Sequence, residues 1–119
     1  MAQTATVQLA ERDGTIVGFG SSSPQSDGSL CYSGEITALY VLRSAQRQGV
    51  GRRLMAALAR ELLALGHTSA VVWVLEANKP AQRFYEALGG QELARREQQR
   101  DGYSAVGIAY GWRDLRALI

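Results

Sequence analysis

The stretch QRQGVGR, residues 46–52, joins a predicted strand to a predicted helix. Phosphate groups bind where several backbone N–H groups point into one concavity. Gly49 and Gly51 carry no side chain that would block such an approach, and the free N–H groups and positive dipole end of the following helix favour an anion. Arg47 and Arg52 add positive charge at the rim. The stretch therefore predicts a pyrophosphate site, although two glycines at such a junction are also typical of a plain tight turn.

Two better-known phosphate patterns do not fit this stretch. It is not a P-loop, because no Gly-Lys-Ser/Thr follows it. It also lacks the three spaced glycines and the later acidic residue of the dinucleotide-binding fingerprint.

Three strands are predicted before the stretch. Apolar and polar residues alternate from Thr6 to Glu11, and Asp13-Gly14 predicts a hairpin turn into a second strand at Thr15 to Ser21. Ser22 to Ser29 is rich in Ser, Gly and Pro and predicts a flexible loop. The third strand lies within Leu30 to Leu42 and is clearest from residue 35 onward.

Two helices, a strand and a hairpin are predicted after the stretch. Apolar residues recur at helical spacing from Val50 to Leu65, and Gly66 marks the end of that helix. The apolar run AVVWVL within Ser69 to Glu76 is typical of a buried strand. Pro80 suits the first turn of a second helix, which stops at Gly89-Gly90.

The C-terminal part predicts a closing hairpin formed by Gln91 to Gln99 and Gly102 to Trp112, with Arg113 to Ile119 as a tail or a turn of helix. The resulting order is β-β-β-α-β-α-β-β. Because strands and helices alternate in the middle of the chain, this order favours an α/β domain with a mixed sheet.

Composition narrows the classes of function. The chain has 119 residues, a net charge of +2 and a single cysteine, Cys31, so we expect one domain over residues 1–119 without an internal disulfide. No Lys/Arg run indicates nucleic-acid binding, and no apolar stretch indicates a membrane span or a signal peptide. We expect a cytoplasmic protein with no metal site and with a compact anionic ligand.

Three segments around this stretch resemble the GNAT superfamily of N-acetyltransferases. The family hallmark Gln/Arg-x-x-Gly-x-Gly/Ala is present as Gln46, Gly49 and Gly51. The preceding strand, GEITALYVLRSA, is similar to the family's strand before its phosphate loop. The segment NKPAQRFYEALGG resembles the family's Asn-x-x-Ala-x-x-Phe-Tyr-x-x-x-Gly-Phe, with matches at Asn78, Ala81, Phe84, Tyr85 and Gly89. The resemblance implies a mixed, mostly antiparallel sheet flanked by helices, and acetyl-CoA as co-substrate.

The resemblance also implies how the cofactor is held. The backbone of Leu39 and Val41 would pair with the pantetheine arm, and Asn78 would hydrogen-bond that arm or simply cap its helix. The pyrophosphate would be held by the loop that contains Gln46, Arg47, Gln48, Gly49, Val50, Gly51 and Arg52.

Catalytic roles follow from the same resemblance. Tyr85 would protonate the departing thiolate of coenzyme A, since a phenol keeps its proton at neutral pH; otherwise it is an aromatic packed beside Phe84. Glu35 would accept a proton from the attacking amine, or it is a solvated glutamate at a strand edge. Glu76 is a weaker candidate for this base.

The resemblance starts at the family's second strand and lacks the N-terminal strand and helices that form much of the acceptor wall. We therefore expect an open acceptor cleft, a wall supplied by a second subunit in a homodimer, or acetyl-CoA binding without efficient catalysis. The leading hypothesis is an N-acetyltransferase for a small-molecule or peptide amine. The alternatives are an acyl-CoA-binding or sensing module and a nucleotide-phosphate binder.

Overall fold

The computed structural model describes residues 5–25 and 28–119, which form six strands and two α-helices. The sheet has the strand order β1-β2-β3-β4-β6-β5, and among the described pairs only β3 and β4 run parallel. The predicted order of elements and the mixed, mostly antiparallel sheet are thus confirmed. The elements are β1 (Thr6–Arg12), β2 (Thr15–Pro24), β3 (Gly34–Val41), α1 (Val50–Ala64), β4 (Ala70–Leu75), α2 (Lys79–Ala87), β5 (Gln91–Arg100) and β6 (Tyr103–Trp112).

Local turn chemistry sets both hairpins. Asp13 and Gly14 have φ values of 52° and 80°, and Asp101 and Gly102 repeat the pattern at 48° and 82°. Two consecutive residues with positive φ are the signature of the type I′ turn, whose twist matches that of the flanking strands. The hairpins predicted at these two positions are confirmed.

The flexible loop predicted from Ser22 to Ser29 is wrong over its first three residues, because β2 continues to Pro24. Ser22 pairs with Ile36 of β3. The Ser22 side chain is fully buried, and its Oγ is hydrogen-bonded to Oγ1 of Thr6 at 2.6 Å. The prediction relied on local composition, whereas pairing with β1 and β3 overrides the weak strand preference of serine and proline. The rest of the predicted loop includes residues 26 and 27, which lie outside the described residues.

One face of the sheet is covered by helices. Apolar side chains of α1 pack on it with Ile36 of β3, and Tyr85 of α2 joins the same core. A 3₁₀ turn at Leu115–Leu118 also packs against this core. Within the described parts of the chain, neither helix has the length and apolar character needed to cross a membrane. The buried α1 side chains are Val50, Leu54, Met55, Leu58, Ala59 and Leu62.

The parallel pairing of β3 with β4 is short. The described register runs only from Gly34 opposite Ala70 to Ile36 opposite Val72. Beyond Ile36, β3 continues to Val41 while remaining paired with β2 on its other side. The two central strands therefore diverge, and this splay opens next to the first turn of α1.

Candidate functional site

A groove of about 700 Å³ lies between the 46–52 loop, the end of β3 and α2. Its size is typical of small-molecule sites. Nine of the predicted site residues line it: Leu39, Val41, Gln46, Arg47, Gly49, Gly51, Arg52, Asn78 and Tyr85. Three segments that are distant in sequence therefore form one surface, as the resemblance implies.

The loop has an unusual backbone. Arg47 has a φ of 64° and Gly49 a φ of 83°, so both adopt the left-handed conformation, which is unfavourable for the non-glycine residue. Such conformations cluster at ligand sites. The Nε2 group of Gln46 donates to the carbonyl oxygen of Val41 at 3.1 Å, and this bond ties the loop to the end of β3. The side chain of the hallmark glutamine thus shapes the loop.

The start of α1 presents backbone donors. Its first intrahelical bond runs from the N–H of Arg53 to the carbonyl oxygen of Gly49 at 3.1 Å. The N–H groups of Val50, Gly51 and Arg52 precede this bond and therefore lack an acceptor within the helix. No acidic residue occupies the first turn, which leaves the positive end of the helix dipole without a negative neighbour there. This geometry suits an anion.

Glycine is needed at the two positions of the loop for different structural reasons. A Cβ atom built on Gly49 would meet nothing within 4 Å, so this position leaves open space over the loop. A Cβ atom on Gly51 would lie 3.1 Å from Cζ of Phe84. Gly51 thus permits the close approach of α1 and α2, a role that the sequence analysis did not assign to it.

Two predicted loop residues do not line the groove. The side chain of Gln48 is exposed, and its Nε2 donates to the carbonyl oxygen of Ser44 at 3.2 Å. Val50 is buried against Val17 and Leu54. The side chains of these two residues therefore do not form part of the groove.

At the end of β3, main-chain groups on the side away from β2 face the groove. The N–H of Leu42 donates to the carbonyl oxygen of Val17 at 2.8 Å, so it points toward β2. Backbone groups alternate in direction along a strand. The main-chain groups of Leu39 and Val41 therefore point toward the splay.

The α2 helix begins with two amide side chains. Asn78 caps it through Oδ1, which accepts from the N–H of Ala81 at 3.2 Å, and Asn78 also lines the groove. The cap and the ligand contact are therefore compatible. Gln82 is buried, and its Nε2 donates to the carbonyl oxygens of Leu75, Glu76 and Asn78 at 3.1, 2.7 and 3.2 Å. This clamp fixes the turn that leads from β4 into α2.

Arg83 is a groove residue that the sequence analysis missed. It lies one turn after Pro80 on α2, and both line the groove. Residues three apart on a helix share a face, which is the signal that would have found it. Its guanidinium adds a third positive charge to those of Arg47 and Arg52.

Tyr85 is the buried phenol of the groove. It is 6% exposed and packs against Phe84, Tyr110 and Trp112 with ring centroids 5.3, 6.4 and 6.0 Å away. Burial raises the pKa of the Tyr85 phenol above its ordinary value. The hydroxyl therefore keeps its proton at neutral pH and can donate it.

Both candidate bases lie outside the groove lining. Glu35 is half-buried near the start of β3, where it pairs with Val71 in the parallel register. The carboxylate of Glu76 forms an ion pair with Arg95 at 2.8 Å. The assignment of Glu35 as the base stays a prediction.

Comparison with known proteins agrees with this geometry. The model of the acetyltransferase (GNAT) family matches residues 2–90. The uncharacterized N-acetyltransferase YuaI of Bacillus subtilis strain 168 is 38% identical over 108 residues, which are 91% of this chain and 62% of the relative.

Solved structures share the fold. A ribosomal-protein-alanine N-acetyltransferase from Brucella melitensis has a TM-score of 0.74 at 25% identity, covering 89% of this chain and 67% of that chain. The yncA protein of Salmonella typhimurium, solved with its cofactor acetyl-CoA, has a TM-score of 0.72 at 23% identity, covering 92% of this chain and 64% of that chain. The family model matches most of the chain, and the sheet and the 46–52 loop agree with it. The chain therefore belongs to the acetyltransferase (GNAT) family.

Proposed function

We propose that the protein transfers an acetyl group from acetyl-CoA to the amine of a small molecule or peptide, and that residues 1–119 act as one acetyl-CoA-binding domain. The observation that carries this proposal is the single groove that joins the 46–52 loop, the part of β3 beyond its pairing with β4, and the Tyr85 phenol. Family membership supports the reaction class.

The groove fits the parts of the cofactor. The N–H groups at the start of α1 would hold the pyrophosphate, with Arg47, Arg52 and Arg83 supplying charge around it. The main-chain groups of Leu39 and Val41 would pair with the pantetheine arm as a strand pairs with a sheet edge. The groove thus offers cationic contacts at one end and neutral backbone contacts at the other.

The residues near the splay would perform the chemistry. Bound acetyl-CoA supplies a thioester carbon that the amine attacks directly. The main-chain N–H of Val41 points toward the splay and would polarise the thioester carbonyl. Tyr85 would give its proton to the sulfur as the thiolate departs, and its raised pKa keeps that proton in place until it is needed.

A base must also take a proton from the amine, which usually arrives as an ammonium ion. We propose Glu35 for this role, acting across the open face of the sheet directly or through water. Glu76 is the weaker candidate because its carboxylate is already engaged by Arg95.

Release of free thiol from acetyl-CoA, measured against a panel of small amines and peptides, tests this function. We expect release with at least one amine, and tight acetyl-CoA binding without release from any amine would instead indicate an acyl-CoA-binding module. ATP should not displace acetyl-CoA at comparable concentration, since such displacement would indicate a general nucleotide-phosphate site.

A pair of matched glycine variants tests the loop. Gly49 and Gly66 both have positive φ and open space at the Cβ position, but only Gly49 lines the groove. A β-branched residue strains the backbone at both positions. Gly49→Val should weaken acetyl-CoA binding at least about tenfold by placing bulk against the pyrophosphate, whereas Gly66→Val should not. Equal affinities in the two variants would remove the loop from the site.

We further propose a cytoplasmic homodimer with neither a nucleic-acid nor a membrane partner. The exposed free thiol of Cys31 is compatible with a reducing compartment. Fractionation of cells that express the natural protein tests the location, and recovery in a membrane or secreted fraction would contradict it.

A further inference from the structure

The wall of the groove that α2 forms changes from buried to exposed across the helix. Arg83, Phe84 and Tyr85 are consecutive, and all three line the groove. Tyr85 is buried, Phe84 is half-buried and Arg83 is exposed. Because successive residues of an α-helix are turned by about 100° from one another, the three side chains run from the floor of the groove at Tyr85 to its mouth at Arg83.

The parts of acetyl-CoA follow the same order along this wall. Under the proposed function the thioester lies at the Tyr85 phenol, on the floor. Phe84 faces Gly51, whose Cβ atom would lie 3.1 Å from its ring, so the middle of the wall stands against the first turn of α1, where the pyrophosphate would bind. The adenosine and its 3′-phosphate lie beyond the pyrophosphate, on the side away from the thioester. They therefore come to the mouth of the groove, next to Arg83.

Arg83 is available to such a phosphate. Among the residues that the structure describes, its side chain forms neither an ion pair nor a hydrogen bond. Glu86 lies three residues further along α2, at a spacing that permits an ion pair, but its Oε2 accepts from the Tyr110 hydroxyl at 2.8 Å. The described lining of the groove also contains no Asp or Glu. The guanidinium thus meets no competing carboxylate there.

The charge of the pyrophosphate is balanced without this third arginine. Each phosphate of that diester carries a single negative charge, and Arg47 and Arg52 supply two positive charges beside the free N–H groups at the start of α1. A phosphate monoester adds a charge of about −1.5 to −2 at pH 7 and three acceptor oxygens. The 3′-phosphate of CoA is such a monoester, and a guanidinium can bind it through two parallel hydrogen bonds.

The surface beside Arg83 suits the rest of the nucleotide. Pro80 and Ala87 lie three residues before and four residues after Arg83, so all three share one face of α2. Both neighbours are exposed and line the groove. Their side chains are small and apolar, and they leave space for an adenosine next to the guanidinium. The mouth of the groove therefore offers one free cation within an apolar border.

We propose that Arg83 binds the 3′-phosphate of CoA and makes the protein selective for the complete cofactor over forms that lack this phosphate. The inference rests on the proposed function only in placing acetyl-CoA in this groove. It does not depend on the amine acceptor or on the residue that acts as base. Arg47 and Arg52 remain the side chains that serve the pyrophosphate.

Calorimetric titration with acetyl-CoA and with acetyl-dephospho-CoA tests the selectivity, because the two ligands differ only by the 3′-phosphate. The wild type should bind acetyl-dephospho-CoA about tenfold more weakly than acetyl-CoA. Arg83→Gln should bind acetyl-CoA about tenfold more weakly than the wild type, and its affinities for the two ligands should agree within about twofold. Arg83→Lys should keep part of the selectivity, since it retains the charge but not the fork of donors.

Two further arginine variants serve as controls. Arg52→Gln should weaken both ligands by the same factor, because both contain the pyrophosphate. Arg60→Gln removes the same charge from an exposed position of α1 that does not line the groove, and it should bind both ligands like the wild type. Added salt should narrow the difference between the two ligands in the wild type, as screening weakens an exposed ion pair. Thermal unfolding establishes that each variant is folded.

The outcomes are distinct. Equal affinities of the wild type for the two ligands would overturn the inference. Equal weakening of both ligands in Arg83→Gln would assign Arg83 to the pyrophosphate and overturn it as well, and so would loss of selectivity in Arg60→Gln, which would indicate a general charge effect. The titrations contain no amine, so a protein that selects the complete cofactor but never releases thiol would contradict the transferase function alone. A wild type that binds neither ligand would contradict both.

Discussion

Gly51 and Phe84 bring α1 and α2 into contact, since a Cβ atom on Gly51 would lie 3.1 Å from Cζ of the ring. Gly51→Val should push the ring away and widen the groove, with a loss of acetyl-CoA affinity of about tenfold, or roughly 1.4 kcal/mol. Titration calorimetry measures this loss. Ala64→Val, at the exposed end of the same helix, controls for the helix propensity of valine and should retain the wild-type affinity. If Gly51→Val binds like this control, the helix contact does not set the width of the groove.

The proposed role of Tyr85 as general acid requires its hydroxyl for turnover but not for binding of acetyl-CoA. Tyr85→Phe keeps the ring that packs against Phe84 and Trp112, so the dissociation constant of acetyl-CoA should change less than about threefold. Turnover should fall by roughly 10²-fold or more, as for loss of a general acid. Steady-state kinetics and calorimetry separate the two quantities. Undiminished turnover would exclude Tyr85 as the acid.

Tyr110 links β6 to α2 through its hydroxyl, which donates to Oε2 of Glu86 at 2.8 Å. Burial and this bond raise the pKa of Tyr110 to about 12. A raised pKa means that the folded state holds the proton more tightly than the unfolded state, so the contribution is complete below about pH 10 and is lost as the pH rises toward about 12. Tyr110→Phe should unfold more easily than the wild type at pH 7, by about 1 kcal/mol. Denaturant unfolding at several pH values should show this gap shrinking above pH 10, and a constant gap would contradict the assignment.

Gln82 acts as a donor to three carbonyl oxygens, those of Leu75, Glu76 and Asn78. Gln82→Glu replaces that donor by an acceptor of nearly equal size, so the free energy of unfolding should fall by roughly 1–3 kcal/mol at pH 7. The loss should be smaller at low pH, where the carboxyl group is protonated and can donate again. Gln91→Glu, at an exposed glutamine of β5, is the control and should remain within about 0.5 kcal/mol of the wild type. Equal stabilities of the two variants would show that the clamp is dispensable.

Much of the candidate site could be predicted because its residues lie close together in the sequence. Gln46, Gly49 and Gly51 lie within six residues of one another, and Asn78 caps the helix that contains Tyr85, so local sequence patterns place all five. Arg83 was missed because helical spacing places it on the same face as Pro80, but only the packing of α2 shows that this face lines the groove. The predicted base Glu35 is likewise separated from the groove lining by the direction its strand takes, which no local pattern encodes.

The sequence by itself determined the turns, the helix ends and the order of elements. Asp13-Gly14, Gly49, Gly66 and the Asn78 cap each act through the φ, ψ or hydrogen bonds of their own neighbours. Only the tertiary structure decided that β2 extends to Pro24, that the missing side chain of Gly51 makes room for Phe84, and that Arg83 stands at the mouth of the groove. These features depend on contacts between residues far apart in the chain, whose free energy appears only when the strands pair and the helices pack.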